Sequence, residues 1–231
     1  MVTLLDEEEP PWFPNPHKAD DDGLIAVSEK LGADRLIKAY SEGIFPWMRL
    51  DHAPHFWCWF SPNPRMVLFP EKFKVSTSLL RVINSKKFEI RVNHGFRETM
   101  KACATAKRPM QEATWIENDM IEDYSKLHEQ GVAHSVEAFL DEERVGGLYG
   151  LALGQVFCGE SMFHIEANAS KVCLAYLVET SIKFGISMID CQVHTPHLES
   201  MGAEEITRTE YIKLLKAYLK SKKSVVNWGV L

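Results

Sequence analysis

The sequence predicts an α+β fold, with a small N-terminal domain followed by a larger one whose sheet is built on an antiparallel meander. Three observations lead there. Strand-like runs lie back to back at Ser135 to Leu140, Val145 to Leu153 and Val156 to Phe163, separated only by the turns Asp141 to Arg144 and Gly154-Gln155. A helical run, Ala169 to Phe184, then leads to one more strand, Ile186 to Val193, which a crossover of that length lays parallel to its predecessor. Upstream, residues 1–64 are crowded with proline and aromatic side chains, which puts the domain boundary between 64 and 65 and assigns 65–231 to the larger domain.

The elements follow in order. Residues 1–23, rich in Pro and Asp, predict an extended lead-in ending at Asp20-Asp21-Asp22-Gly23. Leu24 to Val27 reads as a short strand. Ala33 to Glu42 reads as an amphipathic helix, with Leu36, Ile37 and Tyr40 on one face and Gly43 as its stop. Between Trp47 and Phe69 the rings of Trp47, Phe56, Trp57, Trp59 and Phe60 are interspersed with prolines, which predicts irregular backbone whose aromatics anchor one domain to the other. A strand at Met66 to Phe69, a helix at Ser78 to Ile83, a strand at Phe88 to Val92 and a helix at Gly95 to Cys103 come next. Met120 to Glu129 is a clearer helix, with Asn118 or Asp119 expected as its cap. The helix from Ala169 carries an apolar stripe of Leu174, Leu177, Val178, Ser181 and Ile182, with Asn168 as expected cap and Gly185 as stop. A last amphipathic helix runs from Thr209 to Leu219, ahead of a lysine-rich tail.

A chain of 231 residues with 45% hydrophobic side chains has an ordinary globular composition. It contains no apolar run of membrane-spanning length, and the acidic, proline-rich N-terminus is unlike a signal peptide, so a cytoplasmic protein without membrane association is expected. Five cysteines, none in a CxxC pair, are expected as reduced thiols. The HxxH spacings at His52 and His55 and at His194 and His197 sit beside prolines and read as turn histidines, so no metal site is expected. The net charge of −6 is unevenly spread: Arg81 to Arg108 carries +6 and the remainder −12. A basic patch on an acidic protein suits a phosphate-bearing partner held at one place and repelled elsewhere; solvated lysines on a helix face would look the same.

Three polar residues in apolar strands stand out. Alternation puts Val156, Cys158, Glu160 and Met162 on one face of their strand, and Met188, Asp190 and Gln192 on one face of the next. Buried carboxylates need partners, so Glu160, Asp190 and Gln192 are either a packing network or the polar centre of a site. Their convergence across a helical crossover favours the site. Trp47 and Trp115, outside obvious regular runs, are the rings most available to stack on a base.

A meander followed by a helix and a parallel strand is the layout of GNAT-type acyltransferases. Those folds hold the coenzyme A pyrophosphate on a glycine-rich turn at the start of that helix. Here the turn is His164-Ile165-Glu166-Ala167-Asn168-Ala169-Ser170, with no glycine and with an acid, so coenzyme A is a poor fit.

At Cys158-Gly159-Glu160-Ser161-Met162-Phe163, Asn168-Ala169-Ser170-Lys171 and Ile189-Asp190-Cys191-Gln192 the sequence resembles the leucyl/phenylalanyl-tRNA-protein transferases. The likeness extends through Gly43-Ile44-Phe45-Pro46-Trp47, Ser61-Pro62-Asn63-Pro64-Arg65, Thr114-Trp115-Ile116, His134-Ser135-Val136-Glu137 and Gly146-Gly147-Leu148-Tyr149-Gly150, in that family's order. The resemblance implies a small N-terminal domain, a GNAT-like C-terminal one, no cofactor and no metal. It also implies transfer of Leu or Phe from aminoacyl-tRNA to an acceptor protein N-terminus beginning with Arg or Lys, which marks that protein for degradation, and a monomer is expected. Glu160, Asp190 and Gln192 match the family's catalytic centre. Trp47 and Trp115 match the tryptophans that hold the tRNA 3′-adenosine, and Leu148, Phe157, Met162, Leu174, Leu177 and Ile189 match the aminoacyl pocket. Strict alternation would set Phe157 and Met162 on opposite faces. Ser28-Glu29-Lys30 replaces the family's usual glycine-rich loop, and Leu148 and Ser181 stand where Met and an aromatic are common. Rival readings are Asp or Glu as acceptor, a coenzyme A-dependent N-acetyltransferase, and a non-catalytic reader of tRNA or N-termini.

Overall fold

The computed structural model of the chain describes residues 2–6, 10–106, 115–220 and 228. A four-stranded sheet comes first, formed by β1 (Thr3–Leu4), β2 (Leu24–Ser28), β3 (Phe45–Leu50) and β4 (Ala53–Phe60), with α1 (Ala33–Ser41) between the second and third. The larger sheet takes β5 (Arg65–Leu68), β6 (Glu89–Val92), β7 (Ala133–Leu140), β8 (Glu143–Leu153), β9 (Val156–His164), β10 (Met188–Gln192) and β11 (Glu204–Ile206). Its helices are α2 (Thr77–Asn84), α3 (Phe96–Thr105), α4 (Asn118–Glu129), α5 (Ala169–Phe184), α6 (Pro196–Ser200) and α7 (Arg208–Leu219). Strand order is β1-β2-β4-β3 in the small sheet and β11-β5-β10-β9-β8-β7-β6 in the large one.

The predicted meander, crossover and parallel strand are all present: β7, β8 and β9 pair antiparallel, and β10 pairs parallel with β9. β7 is buried along nearly its whole length because α5 covers one face of the sheet and α3 and α4 cover the other. The β7–β8 turn is two residues, Asp141 and Glu142, with φ of 49° and 64°, the backbone that matches the twist of a hairpin.

The stretch around Trp57 departs from the expectation of irregular backbone. β3 and β4 form a hairpin, with Phe45 opposite Phe60 and Arg49 opposite Trp57. Pro46 fits because β3 is a sheet edge, where a missing N–H leaves no ladder bond unmade. Trp47 therefore lies inside a strand, but at a bulge: Pro46 pairs with Trp59 and Met48 with Cys58, leaving Trp47 unpaired. Helix caps also differ. Asn168 leads into α5 with φ of 71° and makes no side-chain cap, and the residue before α4 is Glu117, likewise without a capping bond. Ile182 is 63% exposed, so the inward stripe of α5 ends with Leu174, Leu177, Val178 and Ser181. α6 and β11 were not anticipated; both are too short for periodicity to register.

Two apolar clusters result. One lies between the large sheet and α1, α3, α4, α7 and the small sheet; the other lies on the opposite face, under α5 and α2. Gly150 has no room for a side chain: a Cβ there would collide with the Cys158 carbonyl and lie 2.6 Å from the Phe157 ring. Gly150→Ala is expected to lower stability by roughly 3 kcal/mol or more in urea unfolding, whereas Gly159→Ala, whose Cβ would meet only the Asp190 carbonyl at 3.6 Å, is expected to unfold like the parent chain.

Candidate active site

β9 and β10 run as neighbours only from Met188 and Val156 to Asp190 and Cys158; β9 then continues to His164 paired with β8 alone. Bulges on both strands accompany the parting. On β9, Gly159 faces Gly150 and Ser161 faces Tyr149, so Glu160 is the extra residue. On β10, Asp190 faces Val67 and Gln192 faces Met66, which makes Cys191 the extra one, and Gln192 has a left-handed φ of 65°. Bulges re-aim side chains and end pairing, and here they aim Glu160 and Gln192 at each other across the gap.

Gln192 Nε2 donates to Glu160 Oε1 at 2.8 Å, and the Tyr124 hydroxyl donates to Glu160 Oε2 at 3.2 Å. The Tyr40 hydroxyl lies 2.6 Å from that of Tyr124. Asp190 sits one layer deeper. It is fully buried and bound by both arms of Arg65, at 2.8 Å from Nε and 2.6 Å from Nη2. The Tyr211 hydroxyl donates to it at 2.7 Å, and the Gln192 backbone N–H at 2.9 Å. The two carboxylates are therefore not equivalent. Asp190 is sealed and ion-paired with Arg65, while Glu160 and Gln192 keep 8% and 7% exposure.

The electrostatics follow from burial. Desolvation pushes the Glu160 carboxyl up to about 7, and the charge of Asp190 adds to this, while the Tyr40, Tyr124 and Gln192 donors pull against it. Tyr40 and Tyr124 are held well above the ordinary phenol range, first by burial and then by the charge of Glu160, so they remain donors. Burial acts to lower the Arg65 guanidinium, but the neighbouring charge of Asp190 outweighs it and keeps the cation fixed. A bidentate guanidinium–carboxylate pair this deep is the geometry that offsets desolvation.

The six residues predicted to hold an aminoacyl side chain all belong to the cluster under α5: Leu148, Phe157, Leu174, Leu177 and Ile189 are buried in it and Met162 packs against it half-buried. The bulge at Glu160 explains how Phe157 and Met162 come to share that face. Before it, Val156 and Cys158 point to the opposite cluster; after it, Phe163 does, and Met162 has crossed. The expected shared face of Cys158, Glu160 and Met162 is corrected accordingly. Trp47 and Trp115 are both half-buried against the first cluster. Trp47 meets Phe60 edge-on at 5.5 Å.

The basic stretch is less positive than its sequence. Arg91 pairs with Glu89 and Glu142, Arg97 with Glu122 and Lys87 with Glu166, and all of these acids but Glu89 come from outside the stretch. Arg81, Lys86 and Lys101 have no carboxylate partner among the described residues; Lys107, Arg108 and Thr114 lie outside them, as do Lys222 and Lys223 of the tail. All five cysteines are free thiols, and no His, Cys, Asp and Glu cluster fit for a metal occurs among the described residues. No described helix is long and apolar enough to cross a membrane. Arg65, Tyr211, Tyr40 and Tyr124 were missed as site residues. A lone Arg opening the apolar run Arg65-Met66-Val67-Leu68 was the available signal for the first.

Parallel strands parting around a carboxyl group and an amide, beside an apolar cluster and on a meander–helix–strand sheet, have the GNAT-like architecture of an acyl-transferring enzyme. The sequence profile of the leucyl/phenylalanyl-tRNA protein transferases matches residues 67–216, and the profile of that protein's N-terminal domain matches 29–63. A leucyl/phenylalanyl-tRNA–protein transferase from Nitrosospira multiformis is 48% identical over 94% of this chain and 96% of its own length, and one from Syntrophobacter fumaroxidans 47% identical over 88% and 86%. The chain belongs to this family. Among solved structures, FemX is similar with a TM-score of 0.49 at 10% identity, over 84% of this chain and 74% of that one. A GCN5-related N-acetyltransferase from Kribbella flavida gives 0.39 at 12%, over 78% and 63%.

Removing one partner of the Arg65–Asp190 pair strands a buried charge, so Arg65→Met is expected to lose roughly 3–5 kcal/mol in urea unfolding. Glu160 gives the opposite sense of pH dependence from a salt-bridged acid. Its folded value is raised, so the native state holds the proton longer than the unfolded chain, and stability falls as pH rises from about 4.5 to about 7. Against Glu160→Gln, the parent chain is expected to lose on the order of 3 kcal/mol across that window, read by unfolding at a series of pH values.

Proposed function

We propose that this chain transfers Leu or Phe from aminoacyl-tRNA to the N-terminal amine of proteins beginning with Arg or Lys, acting as a cytoplasmic monomer with residues 1–64 and 65–231 as its two domains. The observation that carries the reading is the hydrogen bond from the Gln192 amide to Glu160, in the opening where β9 and β10 part. With its nitrogen committed to Glu160, the Gln192 carbonyl is left to accept from an incoming amine. Glu160, raised to about 7, surrenders its proton to pair with the α-ammonium of the aminoacyl group. Asp190 touches no substrate: it holds the Gln192 backbone and thereby the unusual φ that aims the amide.

An aminoacyl ester is already activated, so the work is to set a neutral amine against the ester carbon. The new C–N bond forms, the bond to the ribose oxygen breaks, and the amine's proton passes to that oxygen. Positioning can supply about 7–11 kcal/mol, against about 10²–10⁴-fold for side-chain proton transfer, so placement dominates. The aminoacyl side chain enters beside Met162 toward Leu148, Phe157, Leu174, Leu177 and Ile189, the adenosine lies between Trp47 and Trp115, and Arg81, Lys86 and Lys101 supply positive charge for the acceptor stem. Ser181, buried and bonded to the Leu177 carbonyl at 2.7 Å, leaves this pocket without an aromatic wall there.

The test is transfer of labelled Leu or Phe from charged tRNA to peptides differing only in their first residue. Arg and Lys are expected to be accepted and Asp, Glu and Ala refused; acceptance of Asp or Glu alone would replace the acceptor assignment. In single turnover with saturating Phe-tRNA, Gln192→Ala is expected to slow transfer by about 10²-fold or more with little change in melting temperature. An unchanged rate would remove Gln192 from the mechanism.

A further inference from the structure

The ion-pair cluster around Arg49 joins the two segments that carry Trp47 and Trp115. Arg49 lies two residues beyond Trp47 on β3, and its guanidinium stacks on the ring of Trp57 with 4.0 Å to the centroid. Its Nε and Nη2 donate to Glu117 Oε2 at 3.2 and 3.1 Å, Nη2 also donates to Asp119 Oδ2, and Nη1 donates to the His55 carbonyl at 3.2 Å. The indole N–H of the fully buried Trp57 reaches the same Asp119 oxygen at 3.0 Å. Glu117 and Asp119 sit at the start of α4, two and four residues beyond Trp115, with Ile116 buried between.

Exposed ion pairs contribute little, but this one is not of that kind. The Arg49 side chain is 19% exposed, flat on an aromatic face and engaged through three nitrogens, so its orientation is fixed as much by stacking as by charge. Its carboxylates are about half-exposed and lie 68 and 70 residues away in sequence. Such a contact adds little cohesion to the core and much to the distance between the two strips of backbone it joins.

We infer that Arg49, Glu117 and Asp119 form a clasp that sets the separation of Trp47 and Trp115, and so acts as a positioning device for the purine ring of the aminoacyl donor. The inference rests on the reading of those two tryptophans as a nucleoside clamp. Arg49 itself touches no substrate. Lys cannot replace it, because an ammonium neither forks to two carboxylates nor stacks flat on an indole.

The test compares KM and kcat for Phe-tRNA in Arg49→Met, Arg49→Lys, Glu117→Gln with Asp119→Asn, and the combination of that pair with Arg49→Met. Both Arg49 variants are expected to raise KM by about tenfold with kcat within about twofold, and the combined variant is expected to be no worse than Arg49→Met, since the groups act as one unit. Additive losses, an unchanged KM, or a fall in kcat at constant KM would overturn the clasp. Trp115→Ala separates the two levels of argument: if it raises KM and Arg49→Met does not, the clasp fails alone; if neither does, the nucleoside reading fails with it. Should Arg49→Met fold poorly, Arg49→Lys, which keeps stem and charge, carries the comparison.

Discussion

The buried pairing of Arg65 with Asp190 is the constraint on which the rest of the site depends. It joins β5 to β10 inside the larger sheet, and through Tyr211 it fastens α7. Arg65 also donates to the Gly43 carbonyl at 3.3 Å, just ahead of β3, and its guanidinium lies between the rings of Phe45 and Tyr211 at 4.7 and 4.5 Å. Gly43 has φ of 82° and no room for a Cβ against Tyr211, 2.9 Å away, so this turn needs the residue it has. A single cation thus locates the small sheet, the last helix and the strand that carries Gln192. Asp190, one of the three polar residues that strand alternation singles out, is the carboxylate that holds this cation.

Above this pair, the site is made by interrupting regular structure. Had β9 and β10 paired to their ends, Glu160 and Gln192 would sit in a closed sheet. One extra residue on each strand lets them part and turns both polar side chains toward the opening. The same insertion carries Met162 over to the α5 face that Phe157 also occupies, opposite Leu148 in the pairing. The Glu160–Gln192 pair and the apolar cluster under α5 lie against one sheet, at the place where its two parallel strands part.

Much of this was legible in the residues. Periodicity and turn chemistry located the meander, the long helix between Ala169 and Phe184 and the parallel strand, because each is long enough for its pattern to exceed noise. Polar residues inside Val156–His164 and Met188–Gln192 were visible as anomalies in apolar strands. What could not be read was anything requiring two distant segments at once. Arg65 meets Asp190 across 125 residues and Tyr124 meets Glu160 across 36, and nothing in either local pattern names the partner. Bulges are equally silent: Glu160 looks like an ordinary member of its strand until register is known. The charge count overstated the basic surface because Glu122, Glu142 and Glu166 fold back onto it from elsewhere.

The phenol pair of Tyr40 and Tyr124 couples the N-terminal part of the chain to the acidity of Glu160. Tyr40 belongs to α1, at the N-terminal end of the chain, yet its hydroxyl is one bond removed from the carboxyl group at the opening of the sheet. The protonation set-point of that carboxyl is therefore written jointly by both halves. Exchanging the first sixty residues between relatives transplants an electrostatic dial along with a scaffold, and a chimera that folds well inherits a different acidity at its centre unless the phenol comes with it.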